Sequence, residues 1–118
     1  MTQRNRMFVY NESLPLEMAV DRLDLERLRR GFAELFDRAA QAVQLAGYEQ
    51  DDAVVERYML VRTAEGAETS IVADWLADRE RLVSHVHSEL HRAFGDGCNP
   101  SDVQVVGVRV VAFLEHAG

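Results

Sequence analysis

The segment that most constrains the fold is the C-terminal run at residues 103–114, which reads VQVVGVRVVAFL. Its apolar side chains occupy odd and even positions alike. Because successive side chains of a β-strand point to opposite faces of the sheet, a strand that is apolar at both parities has both faces covered. We therefore predict a strand at 103–114 that lies within a sheet and has other elements on both of its sides.

Two amphipathic helices are predicted, at residues 24–46 and 74–94. In each, the apolar residues recur with the 3.6-residue period of one helical face. Asp24 is placed to cap the first helix, and Gly47 follows its last turn, where a left-handed residue is favoured. Gly95 ends the second helix in the same way. Two helices separated by β-branched runs indicate an α+β domain.

The remaining strands are predicted at residues 7–10 and 54–63, both rich in β-branched and aromatic residues. Residues 69–73 fit either a short strand or the start of the second helix. If they form a strand, a turn containing Gly66 joins it to 54–63 as a hairpin.

In chain order these elements give β-α-β-β-α-β, the split βαβ pattern of ferredoxin-like domains. We expect a two-layer sandwich with both helices on one face of a mainly antiparallel sheet. A chain of 118 residues has the length of one domain, so we assign residues 1–118 to a single α+β domain.

Composition excludes several kinds of chemistry. A single cysteine, Cys98, cannot form an internal disulfide or a cysteine-built zinc site. All 13 basic residues are arginine, so a Schiff-base lysine and a Walker A lysine are absent from this sequence. We find no apolar run long enough for a transmembrane helix, and the apolar stretch near the start is too short for a signal peptide. A cytoplasmic protein is expected.

The charge balance bears on partners. Twenty acidic residues against 13 arginines give a net charge of −7, which argues against nucleic acid and anionic membranes as partners. The same charge suits a protein partner with a basic surface.

The two predicted helices can cover only one of the two faces of the predicted sheet. We assign Val103, Val105, Val111 and Phe113 to that second face, where they need a cover of their own. Self-association through this face predicts a homodimer with Val111 and Phe113 in the interface. The competing explanation is that residues 14–20 fold over the face and leave a monomer.

His87 and His91 are the candidate metal ligands. They are spaced i, i+4 and share one helical face, as paired metal-binding histidines do, and they would take a divalent transition metal. His85 lies about 160° away around the helix and cannot join them. Since two histidines rarely hold a metal alone, we favour surface histidines and expect no cofactor.

Arg79 falls in the middle of the apolar stripe of the second predicted helix, between Trp75 and Val83. A guanidinium there needs a carboxylate or carbonyl partner. Arg79 is therefore a candidate anion-binding residue, although its stem could equally pack on Trp75 while its head reaches the sheet edge.

No catalytic residue can be named from the sequence. Cys98 lies in the loop at 95–102, just after a helix C-terminus, where the helix dipole disfavours a thiolate. Two classes of function stay open. The first is a small acidic, non-catalytic interaction or accessory protein, expected to be a homodimer. The second is an enzyme or sensor whose metal or small-anion site uses His87, His91 and Arg79.

Overall fold

The computed structural model describes residues 6–74 and 76–114. Two helices pack on a four-stranded antiparallel sheet in the strand order β1-β4-β2-β3, which confirms the α+β fold and the β-α-β-β-α-β order. β4 lies between β1 and β2, and β2 lies between β4 and β3, so both βαβ units are split. The elements are β1 Arg6–Ala19, α1 Leu25–Leu45, β2 Ala53–Arg62, β3 Glu68–Val72, α2 Arg79–Phe94 and β4 Gln104–Leu114.

The first helix matches the prediction closely. The side chain of Asp24 accepts a hydrogen bond from the backbone N–H of Arg27 at 3.1 Å, which satisfies one of the free donors of the first turn. Gly47, just past the end of the helix, has φ +91°, a left-handed conformation that glycine adopts without strain. The buried stripe of the helix consists of Leu25, Leu28, Phe32, Leu35, Ala39 and Val43.

The second helix begins later than predicted, at Arg79 rather than at residue 74. The backbone N–H of Ala73 still donates to the carbonyl of Arg57 at 2.8 Å, so the chain runs beside β2 at this point and cannot yet enter a helix. Asp78 caps the helix instead and accepts from the N–H of Arg81 at 3.2 Å. Trp75, which we placed on the stripe of this helix, lies outside the described residues.

The ambiguous segment at 69–73 belongs to a strand. β3 pairs with β2 from Tyr58 opposite Val72 to Arg62 opposite Glu68, which is the hairpin considered above. Its turn is closed by the N–H of Thr63, which donates to the carbonyl of Ala67 at 2.8 Å.

The first strand is much longer than the predicted 7–10. β1 continues along β4 to Ala19, with one register break between Ser13 and Met18. Met18 and Val20 are buried in the main core. The end of the segment at 14–20 therefore belongs to the core beneath the helices and does not cover the helix-free face as the alternative required.

A β-bulge in β4 overturns part of our face assignment. Gly107 lies opposite Leu60 and Val105 lies opposite Val61, so Val106 is an extra residue between them. An extra residue reverses which parity points inward. Val103 and Val105 consequently join the core beneath the helices, against our prediction, and the inward residues beyond the bulge are Val108, Val110, Ala112 and Leu114.

Glycine is required at the bulge by close packing of the chain. A Cβ atom at Gly107 would lie 2.8 Å from the backbone carbonyl oxygen of Glu12 in β1. The missing side chain therefore lets β1 and β4 approach each other where the register shifts.

Among residues 6–74 and 76–114, no helix combines the length and apolarity needed to span a bilayer.

Candidate interaction surface

The face of the sheet opposite the helices carries a cluster of apolar side chains at one end. Paired residues of neighbouring strands share a face, so the register Met7–Phe113–Val54 forms one row across β1, β4 and β2. Val9, Val111 and Glu56 form the next row, so one acidic side chain adjoins the apolar ones. We call this cluster the outer apolar patch; it consists of Met7, Val9, Val54, Val111 and Phe113.

Water reaches most of the outer apolar patch. Met7 and Val54 are each 59% exposed and Val9 is 44% exposed, whereas Val111 and Phe113 on the inner strand β4 are half-buried by these neighbours. The patch therefore has an anchored centre and an exposed margin. The placement of Val111 and Phe113 on the helix-free face is the one the sequence predicted.

A polar network adjoins the patch. In the row after Val9 and Val111, Asn11, Arg109 and Tyr58 are cross-strand neighbours, and the Nε of Arg109 donates to the Oδ1 of Asn11 at 2.6 Å. The hydroxyl of Tyr58 donates to the carboxylate of Glu56. This hydrogen bond raises the pKa of Tyr58, helped by burial and by the negative charge of Glu56, while Arg109 opposes the rise.

The opposite end of the same face holds a polar cleft of about 530 Å³ beside the bulge. Arg62 lies there between two carboxylates, 2.7 Å from Glu68 and 3.9 Å from Glu17. Glycine at position 107 contributes to the lining. The outer face is therefore apolar at the end of β4 and charged at its beginning.

The structure places His87 and His91 on the exposed side of α2. The Nε2 of His91 lies 3.0 Å from a carboxylate oxygen of Asp96, and both side chains are largely in water. Within residues 6–74 and 76–114, no group of three or more histidine, cysteine, aspartate or glutamate side chains is placed to hold a metal ion. The described residues thus offer the two histidines no completed coordination shell.

Arg79 occupies the first residue of α2 and not the middle of an apolar stripe, because the helix begins later than predicted. Its Nη1 donates to the backbone carbonyl of Leu23 at 2.6 Å. This contact ties the start of α2 to the segment that precedes α1. The carbonyl partner required of Arg79 is therefore present, although the residue as a whole is exposed.

The loop that carries Cys98 is explained by turn chemistry. The Oδ1 of Asn99 accepts from the N–H and from the hydroxyl of Ser101, which caps the short 3-10 helix at Pro100–Asp102. Cys98 itself is half-buried.

Sequence reasoning missed three members of the outer apolar patch, namely Met7, Val9 and Val54. The signal was available, since 7 and 9 have one parity in β1 and 54 has the outward parity of β2. This signal could be used only once the strand order was known. The three residues form one surface with Val111 and Phe113 because β1 and β2 both lie next to β4.

Comparison with known proteins yields structural likeness alone. No family model matches the sequence, and no curated protein matches it. Part of a chain in the nucleotide-free structure of acetone carboxylase, studied for ATP-dependent acetone carboxylation, superposes with a TM-score of 0.75 at 16% identity over 92% of this chain. The ATP-dependent caprolactamase from Pseudomonas jessenii superposes with a TM-score of 0.64 at 15% identity over 95% of this chain. The match spans only 17% and 16% of those two chains, so what they share with this protein is a fold.

Proposed function

We propose that this protein is a small, acidic, non-catalytic interaction or accessory protein of the cytoplasm that docks through the outer apolar patch. The observation that carries the proposal is the exposure of Met7, Val9 and Val54 around Val111 and Phe113 on the face that the helices leave uncovered. Contiguous apolar surface of this kind, bordered by polar residues, is typical of interaction sites in soluble proteins.

The surroundings of the patch support the same conclusion. Protein interfaces combine an apolar centre with a polar margin and are enriched in tyrosine and arginine. Tyr58 and Arg109 lie in the row next to Val111, and with Glu56 they provide such a margin. The polar groups of Arg109 and Tyr58 are already held by Asn11 and Glu56, so little side-chain ordering remains to be done on binding.

The occupant we propose is a second copy of this chain, which makes the protein a homodimer. Two sheets can pack face to face at about 10 Å, with their apolar rows interdigitated. Glu56 lies opposite Val111 on the same face and Arg109 lies in the next row, so the charges that border the patch are of opposite sign and the net charge of −7 is not concentrated there. A standard interface buries about 800 Å² per partner, which requires the patch and its polar margin together.

A second candidate keeps the accessory role and changes the partner to a larger enzyme chain. It is favoured by the structural comparison, since in two ATP-dependent enzymes a region of this fold makes up about a sixth of a long chain. A domain within such a chain packs against its neighbours. We propose that the outer apolar patch would serve this contact also, with a basic surface on the partner matching the acidic charge of this protein.

Sedimentation equilibrium at tens of micromolar tests the homodimer. The wild-type protein should sediment as a dimer, and Phe113→Glu should shift it to monomer because the variant buries an unpaired charge in the interface. Val9→Glu makes the same test at a more exposed position. Leu45→Glu is the matched control, since Leu45 is 89% exposed on α1 and away from the patch. A monomeric wild-type protein would overturn the homodimer.

Site-directed photo-crosslinking separates the two partners. A benzophenone amino acid replaces Phe113 in the protein as it is expressed in its own cells, and the cross-linked chain is identified by mass spectrometry. Cross-linking to a second copy supports the homodimer. Cross-linking to one large ATP-dependent enzyme chain supports the second candidate. The same label at Leu45 shows which products are unspecific.

A further inference from the structure

A groove lies on the other face of the sheet, between α1, β2 and the segment that precedes α2. α1 packs over β1 and β4, and α2 contacts β3. The groove has a volume of about 370 Å³, within the range of small-molecule sites. Its principal lining residues are Arg29, Phe32, Phe36, Asp37, Arg57 and Leu76.

Arg57 is an unusual residue for this position. It has the inward parity of β2, shared with the fully buried Met59 and Val61, and it is itself half-buried. Its guanidinium carbon lies 5.7 Å from the centre of the Phe36 ring, a cation–π contact. Within residues 6–74 and 76–114, no carboxylate oxygen lies within 4.0 Å of the Arg57 guanidinium.

A half-buried guanidinium loses part of its hydration, and without a carboxylate partner no ion pair offsets that loss of free energy. The cation–π contact with Phe36 needs none of the five N–H donors, which lie in the plane of the guanidinium. Those donors match a carboxylate, which accepts two parallel hydrogen bonds from an arginine.

Arg29 strengthens the positive end of the groove. Its Nη1 donates to the carbonyl of Leu76 at 3.0 Å, which holds the side chain across the groove and reduces the ordering needed on binding. Two arginines and one aspartate give the lining a net charge of +1, although the chain as a whole carries −7. The lining of the groove therefore has a charge opposite in sign to that of the whole chain, which favours an anion there.

We propose that this groove binds a carboxylate that is attached to an apolar or aromatic body. Arg57 pairs with the carboxylate, Arg29 supplies a second charge, and Phe32, Phe36 and Leu76 contact the body. Asp37 opposes binding by its charge. The carboxylate can belong to a free organic acid or to an acidic side chain of a bound polypeptide. This site is separate from the outer apolar patch and does not depend on the proposed function.

Titration of the full chain by NMR tests the proposal with two pairs of probes; binding is observed at the backbone amide resonances of the groove residues, which the variants below retain, and in the wild-type protein also at the Arg57 Nε–H resonance. The free-acid pair is phenylacetate and its neutral control phenylacetamide. The peptide pair is acetyl-Phe-Glu-amide and its control acetyl-Phe-Gln-amide. Binding of phenylacetate alone identifies a free acid as the ligand, and binding of the Glu peptide identifies an acidic side chain. If neither acid binds at tens of millimolar, or if the amides bind as well, the proposal is wrong.

Variants with opposite expected effects complete the test. Arg57→Gln should weaken binding of the acid by about tenfold or more, since it removes a charged hydrogen-bond donor. Asp37→Asn should tighten binding a few-fold, because it removes a like charge. Arg92→Gln is the control, since Arg92 is 80% exposed at the far end of α2 and pairs with Glu89. Unchanged affinity in both groove variants would overturn the assignment of Arg57.

Discussion

At its C-terminal end β4 carries apolar residues on both faces, and the two faces differ there in what covers them. Inward, Val108, Val110 and Leu114 are at most 1% exposed beneath the helices. Outward, Val111 and Phe113 are half-buried among the exposed side chains of β1 and β2. The apolar residues therefore indicate that burial of either face would be favourable, but the arrangement of the helices determines which face is buried within the chain.

The largest expected effect comes from placing one charge on each face of the strand. Val110→Asp should destabilise the fold by about 4 kcal/mol or more, because a buried carboxylate has no partner there. Val111→Asp should cost about 1 kcal/mol or less and should instead weaken self-association. Urea unfolding at low protein concentration measures the first, and sedimentation the second. Equal destabilisation by both would mean that the two faces are covered alike.

The bulge determines which residues of β4 point to each face of the sheet. A substitution at Gly107 tests how tightly the chain packs there. Gly107→Ala should cost about 1–3 kcal/mol, since the new Cβ would lie 2.8 Å from a backbone oxygen of β1 that cannot easily move. Gly97→Ala is the matched control, with nothing within 4 Å of its added Cβ and an expected change within about 0.5 kcal/mol. Thermal unfolding compares the two variants. Equal stabilities would contradict the claim that the close contact at the bulge requires glycine.

The polar margin of the outer face should show its own pH dependence. The folded protein holds the Tyr58 proton more tightly than the unfolded chain does, because Glu56 accepts a hydrogen bond from the neutral phenol. The resulting stabilisation is fully present below the ordinary tyrosine pKa of about 10 and is lost as pH rises through the raised value. Ultraviolet titration of the phenols should show one high-pKa group that Glu56→Gln returns towards 10. An unchanged titration would contradict this.

The smallest effects are expected on α2, whose surface is exposed without being apolar. His87→Ala and His91→Ala should each change stability by less than about 1 kcal/mol, as exposed substitutions usually do. Chemical unfolding with and without EDTA, together with elemental analysis of the native protein, checks this. A loss of several kcal/mol, or bound metal that both variants lose, would favour the metal-site hypothesis instead.

The period of the apolar residues was sufficient to predict an element whose ends are marked by capping residues in the sequence. α1 was predicted to within a residue at each end, because Asp24 and Gly47 mark its limits and a single stripe runs between them. The start of α2 was misplaced because Ala73 is held beside β2 by a hydrogen bond to Arg57, a contact between residues far apart in sequence. The length of β1 was missed for a similar reason, since residues 11–13 and 18–19 pair with β4, which is distant in sequence.

The sequence by itself determined the α+β class, the order of the elements, the acidic charge and the presence of more apolar strand surface than two helices can cover. These properties depend on the period of side chains along one segment or on simple sums. The tertiary structure alone decided that Val103 and Val105 face the core while Val111 and Phe113 face outward, because one extra residue at the bulge reverses the parity. It also decided that Met7, Val9 and Val54 join them and that Arg57 lies in a groove, since neighbours across a sheet are set by strand order and register.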